Sequence, residues 1–201
     1  VSPQLRRALL DRGSCDIGHA HPRSLGPDEI RTLRAMVERI IPGAMELGID
    51  LASRLDRMMA EQTGNGWRYE MLPSDPEAYI AGLRSLDEIA QQFYGRRFSS
   101  LSGEERDYIL GQIERRIDID FRSTDSLNAA QLALWFEEVR SDAVRHYVGH
   151  PAIMARIGYA GFANGGPSGS DFQGFSAVGI GEREDWEPSS ASSSFSNELC
   201  S

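Results

Sequence analysis

The sequence contains no lysine: all 21 of its basic residues are arginine. That absence excludes Schiff-base chemistry, a phosphate-loop lysine and a Ser-Lys mechanism, each of which depends on an amine. Cysteine is nearly as scarce, with Cys15 and Cys200 near opposite ends. Two thiols so placed make no CxxC redox pair, no four-cysteine zinc site, no haem attachment motif and no iron–sulfur cluster. In an oxidising compartment they could pair with each other or with another chain, and in a reducing one they stay free. No stretch of about 18 apolar residues occurs, so no segment has the make-up of a membrane-spanning helix. Positive charge is also short. Against 30 acidic residues the 21 arginines leave a formal net charge of −9. Such an acidic field repels nucleic-acid phosphates and anionic lipid, which disfavours both as partners.

Several catalytic signatures are missing as well. There is no GK[ST] phosphate loop, and Gly179-Ile180-Gly181 lacks the third glycine and the following helix of a dinucleotide fingerprint. No GxSxG elbow occurs, and neither cysteine has a histidine and an acid beside it in a structured segment. At the start, Arg6-Arg7-Ala8-Leu9-Leu10 has a twin-arginine flavour, but Asp11-Arg12-Gly13 follows at once. Without an apolar stretch of about 7–15 residues it does not read as an export signal.

What is present is helical pattern. At 201 residues, 40% hydrophobic and 25% charged, the chain suits one domain of ordinary size. Residues 1–25 mix charge, glycine and proline and read as an irregular arm. Gly26-Pro27-Asp28 then opens a helix, with proline pre-setting the first turn and acids at the positive end. Ile30, Leu33, Val37, Ile40 and Ile41 form its stripe, and Pro42-Gly43 stops it. A second helix is expected over 49–61, broken by Gly64-Asn65-Gly66, with a loop to Pro73. Asp75-Pro76-Glu77 reads as a cap and first turn for a third, whose stripe of Tyr79, Leu83, Leu86, Ile89, Ala90 and Phe93 ends at Gly95. Ser102-Gly103-Glu104-Glu105 is a capping box, with Ile109, Leu110, Ile113 and Ile117 behind it. The longest helix is expected over 128–148, through Leu132, Trp135, Phe136, Val139, Ala143 and Tyr147, terminated by Gly149-His150-Pro151. The fold class is therefore all-α: a bundle of about five helices over 26–151, followed by a long irregular glycine- and aromatic-rich arm.

Two sets of side chains invite chemistry. Asp142, His146 and His150 stand at i, i+4 and i+8, the spacing that would align a carboxylate and two imidazoles for a metal-dependent enzyme. Gly149 predicts that the helix ends before His150, which turns that imidazole off the face and leaves these as surface or capping histidines. His19-Ala20-His21 lies in the irregular arm with only Cys15 and Asp16 near in sequence. The pairs Glu104-Glu105 and Glu137-Glu138 are adjacent, so their members point to different sides of a helix and read as solvated faces or helix-start acids. Catalytic, cofactor-binding and metal-ligating residues are accordingly assigned to none of these.

From 152 the character changes. Residues 158–181 hold eight of the 20 glycines, interleaved with Tyr159, Phe162, Phe172 and Phe175, and show neither helical stripe nor alternation. An acidic stretch over 182–188 contains Trp186, and 189–201 is a serine-rich tail. Aromatic rings without secondary structure of their own need burial from elsewhere. Either they cover the bundle as a long loop, or 152–188 wraps a partner. On the second reading Tyr159, Phe162, Phe172, Phe175 and Trp186 are anchors, with Arg145 and Arg156 as charged contacts. A free-standing helical adaptor uses the same features.

Certain short stretches together resemble a known family. They are Leu33 to Pro42, ending in Ile40-Ile41-Pro42, then Glu46-Leu47-Gly48-Ile49, Tyr79 to Asp87, and Tyr94-Gly95-Arg96-Arg97-Phe98 with Leu101-Ser102. Phe136-Glu137-Glu138-Val139-Arg140, Tyr147-Val148-Gly149-His150-Pro151, and Gly158-Tyr159 with Gly161 complete the set. In order and spacing these resemble the gluconate 2-dehydrogenase subunit 3 family, over roughly 28–181. The resemblance implies a non-catalytic small subunit of a heteromeric dehydrogenase acting on a sugar, sugar acid or glycoside. The catalytic base and FAD would then belong to a large partner of the glucose-methanol-choline oxidoreductase type, and this chain itself would carry no cofactor. It implies assistance with that partner's folding, a cytochrome c or other acceptor as a further partner, and a periplasmic site for exported members. A start close to Val1 would instead imply the cytoplasm. Two departures are visible: 164–175 replaces the family's apolar, tryptophan-containing close, and only a stub resembles the twin-arginine leader many members carry.

Overall fold

The computed structural model describes Arg7, Gly13, Asp16 and residues 22–116 and 126–157. Among these there are six α-helices and no strand: α1 (Pro27–Ile40), α2 (Leu51–Glu61), α3 (Asp75–Tyr94), α4 (Gly103–Glu114), α5 (Ala129–Val148) and α6 (Pro151–Arg156). Short 3-10 turns stand at Met45–Leu47 and Phe98–Ser100. The chain divides into two compact units, 16–146, and 1–15 together with 147–201.

Local chemistry accounts for the helix ends. In α1 Pro27 occupies the first turn with Asp28 and Glu29, and the helix closes at Ile41, before Pro42. Asp50 caps α2, accepting from the Ser53 amide at 3.2 Å. The cap of α3 is Ser74 rather than the expected Asp75, because Glu77 sits three residues on and accepts from both the Ser74 amide and hydroxyl. Gly95, at φ 64, closes α3 in the left-handed conformation. The Ser102–Glu105 box opens α4 as expected. At α5 the same reciprocity recurs without a Ser or Glu: Asn128 accepts from the Gln131 amide and Gln131 accepts from the Asn128 amide. Ile117, expected at the end of the fourth stripe, lies outside the described residues.

The core of the first unit sits around α1, which contacts α2, α3, α4 and the Phe98–Ser100 turn. Leu33, Met36, Leu55, Leu83, Leu86, Ile89, Phe98 and Ile109 are fully buried there. Each large apolar side chain so buried contributes roughly 1.5–3 kcal/mol. Helix α5 joins through Trp135, whose indole lies on the backbone of Gly82 in α3, with Tyr79 edge-on at 6.1 Å. The Trp135 indole N–H has no hydrogen-bond partner among the described residues.

Buried carboxylates tie Asp16 and residues 23–25 to this core. Asp56 accepts from the consecutive backbone amides of Arg23, Ser24 and Leu25 at 2.6–2.9 Å. Farther back, Asp16 accepts from Arg54 at 2.5 Å and from the Asp50 amide at 3.2 Å, and burial pushes its carboxyl up despite the guanidinium. Of the arm expected to be irregular, Asp16 and residues 23–25 are anchored to the core, and Arg7 is helical rather than irregular.

In the second unit α6 begins at Pro151, a residue expected only to terminate the preceding helix. His150 accepts from the Ala152 amide at its Nδ1, and its carbonyl accepts from the Ile153 and Met154 amides. Proline at the first helical position, with a polar side chain before it, is an N-terminus signal as much as a stop. The segment expected to be irregular from 152 therefore starts with a helical turn.

Candidate functional site

The residues proposed as a metal triad are committed elsewhere. Asp142 accepts from the Tyr79 hydroxyl at 2.9 Å and from Arg145 at 2.9 Å. His146 directs Nε2 at the Met58 sulfur, 3.5 Å away, in a surrounding that holds it neutral. Burial, then the charges of Arg145, Arg54 and Arg57, lower its pKa to about 4. Helix α5 ends at Val148, so His150 leaves that face, as Gly149 predicts, and caps α6 instead. Among the described residues no three His, Cys, Asp or Glu side chains are grouped as metal ligands.

Of the residues expected to contact a partner, Arg145 and Arg156 are described. Arg145 is partly exposed in the last turn of α5, donating to Asp142 and to the Met58 sulfur at 3.1 Å. Its guanidinium is thus held by the bundle. Arg156 ends α6 and is half-buried. Tyr159, Phe162, Phe172, Phe175 and Trp186 lie outside the described residues.

The first unit offers a different feature. A cleft of about 220 Å³ lies between α3, α5 and the segment joining α2 to α3, walled by the rings of Trp67, Tyr69 and Tyr79. Its carboxylates are Asp75 from α3 and Glu137, Glu138 and Asp142 from α5. The segment is fastened by side-chain acceptors. Asn65 accepts from the Trp67 amide at 2.9 Å, Glu138 accepts from the Tyr69 amide at 3.1 Å, and Gln131 donates to the Met71 carbonyl at 2.8 Å. Trp67 and Tyr69 meet edge to face at 4.6 Å, and Trp67 remains 59% exposed.

Burial pushes the Glu138 carboxyl up, against the Tyr69 amide and with the negative charges of Asp75 and Asp142 adding to it. Asp142 is likewise raised by burial, opposed by the Tyr79 hydroxyl and Arg145. The Tyr79 hydroxyl is held well above its ordinary value by burial and by the Asp142 carboxylate. Carboxylates held against their desolvation make the cleft a host for positive charge.

Sequence reading placed Glu137 and Glu138 on different sides of a solvated helix. The structure corrects this: one helical step of about 100° lets both line the cleft. Glu137 is exposed and Glu138 half-buried, because the 62–73 segment folds back over α5. The available signal was Trp67 and Tyr69 in a glycine-bounded loop, the kind of unpartnered aromatic pair noticed in the C-terminal third.

Comparison with known proteins bears on the whole arrangement. A family model described as gluconate 2-dehydrogenase subunit 3 matches residues 27–165. The chain belongs to that family. No curated protein and no solved structure matches it. The match to subunit 3 opens at the first residue of α1 and takes in all six described helices. It stops at 165, short of the 181 expected from the resemblance, so Tyr159 and Phe162 fall within it while Phe172, Phe175 and Trp186 lie beyond. A gluconate 2-dehydrogenase subunit 3 is an accessory subunit of a dehydrogenase complex, which makes the helical bundle one component of a larger assembly.

Proposed function

We propose that this subunit 3 chain binds, stabilises and helps mature the FAD-containing catalytic subunit of a dehydrogenase acting on a sugar, sugar acid or glycoside. The observation that carries the reading is the family match running unbroken through the bundle into 165. Large apolar side chains left exposed support it: Trp67 and Met71 beside the cleft, and Phe93 against Tyr108 on α3 and α4. Contiguous exposed rings of this kind mark protein contact surfaces. The flavin and the catalytic base reside in the large glucose-methanol-choline-type partner, and a cytochrome c or other acceptor takes the electrons.

The maturation role is thermodynamic. A chain that binds only the native partner stabilises it by mass action, about 2.7 kcal/mol at a free concentration of 100 Kd. In this reading residues 152–188 embrace the partner, with Tyr159 and Phe162 as the leading anchors, Phe172, Phe175 and Trp186 as further ones, and Arg145 and Arg156 at the rim. The test is expression of the partner flavoprotein with and without this chain. Soluble, flavin-loaded and active partner is expected only with the chain present. Equal yield, flavin content and activity without it would refute the role.

A further inference from the structure

Among the described residues, the cleft at Trp67 is lined by four carboxylates and by no arginine. Arg145 is the arginine hydrogen-bonded to one of its four carboxylates, Asp142. Arg68 and Arg116 act there only as neighbouring charges, on Glu138 and Tyr69. Glu137 is exposed, and Trp67 stands more than half exposed on the wall of the same opening. At about 220 Å³ the space is below the roughly 300–1,000 Å³ usual for small-molecule pockets. That size suits one inserted side chain.

We propose that the cleft walled by Trp67, Tyr69 and Tyr79 is a socket for an arginine side chain presented by the partner protein. Excess negative charge selects a cation. An aromatic wall next to carboxylates selects a guanidinium, which stacks on a ring while its planar edge donates in parallel to a carboxylate. Glu137 and Glu138 supply the acceptors and Trp67 the stacking surface. Rings and carboxylates also suit a monosaccharide, but a neutral sugar leaves the surplus charge uncompensated. The source of the arginine rests on the subunit reading above, whereas the chemistry of the socket does not.

The test therefore needs no partner. The full chain, with the Trp67 indole signal assigned by Trp67→Phe, is titrated with N-acetyl-arginine amide, with the neutral isostere N-acetyl-citrulline amide, and with glucose, and followed by NMR. The arginine amide is expected to shift the Trp67 indole signal saturably. Citrulline amide and glucose at equal concentration should leave it in place. The double substitution Glu137→Gln and Glu138→Gln keeps the acceptor for the Tyr69 amide and should weaken the arginine response about fivefold or more. Exposed Glu137→Gln alone should weaken it in the same direction. Absence of a shift, an equal response to citrulline amide or glucose, or indifference to both substitutions would overturn the socket, and none of these results bears on the maturation role.

Discussion

At Gly82 one missing methyl group decides how α5 meets α3. A Cβ built there would stand 2.3 Å from the Trp135 ring, closer than any real contact. Gly82→Ala is therefore expected to destabilise the bundle by about 1–3 kcal/mol or more through overpacking. Gly111, also within a helix, has nothing near a built Cβ. Gly111→Ala should instead gain roughly 0.5–1 kcal/mol from helix propensity. Urea unfolding of the two variants gives shifts of opposite sign; matching shifts would refute the packing account.

His146 supplies a pH dependence at the same scale. Its pKa falls from 6.5 to about 4 in the folded chain, mainly through burial and then through nearby arginines. In that window the unfolded chain binds a proton that the folded chain refuses, so stability falls as pH drops from 6.5 towards about 4. Asp142 and Glu138, with raised pKa values, act in the opposite sense and gain stability on acidification. The His146→Gln variant isolates the imidazole: its stability should decline less than that of the parent across this range. Parallel declines would show that the imidazole is not desolvated.

Elements were legible where their chemistry is local. Pro27 with two acids, the Ser102–Glu105 box and Gly95 act within a few residues of themselves, so the five main helices could be read from spacing alone. Two starts were misread for one reason. Asp75 and Pro151 each carry signals that suit more than one position, and only the neighbouring partner decides between them: Glu77 for Ser74, and the Ala152 amide for His150. The end of α2 at Glu61 falls where the expected 49–61 range put it, although Gln62 takes the left-handed cap at φ 52 where glycine is commoner. Gln62→Gly should accordingly stabilise by about 0.5–1 kcal/mol, read as a rise in thermal midpoint. In the middle of that helix, Asp56→Ala removes the shared acceptor of three amides. It should cost roughly 2–4 kcal/mol and expose the Ser24 and Leu25 amides to rapid hydrogen exchange.

At the scale of the whole molecule the prediction concerns association. Tyr159→Ala and Phe162→Ala lie within the family match and, on the proposed reading, each should weaken partner binding by about 2 kcal/mol. The circular dichroism of the isolated chain should be unchanged. Calorimetry with the flavoprotein checks this, and unaltered affinity would move the interface onto the bundle's own exposed rings.

The sequence by itself determined the helix count of the main bundle, its apolar stripes and, through ordered short motifs, the family. Those properties follow from periodicity and capping, which operate over one or two turns. Only the tertiary structure decided that Glu137 and Glu138 share a cleft with Trp67, that Asp56 gathers the arm, and that His146 faces a methionine sulfur. These contacts join residues more than thirty positions apart, and no local pattern encodes which distant group will provide a burial or a hydrogen bond.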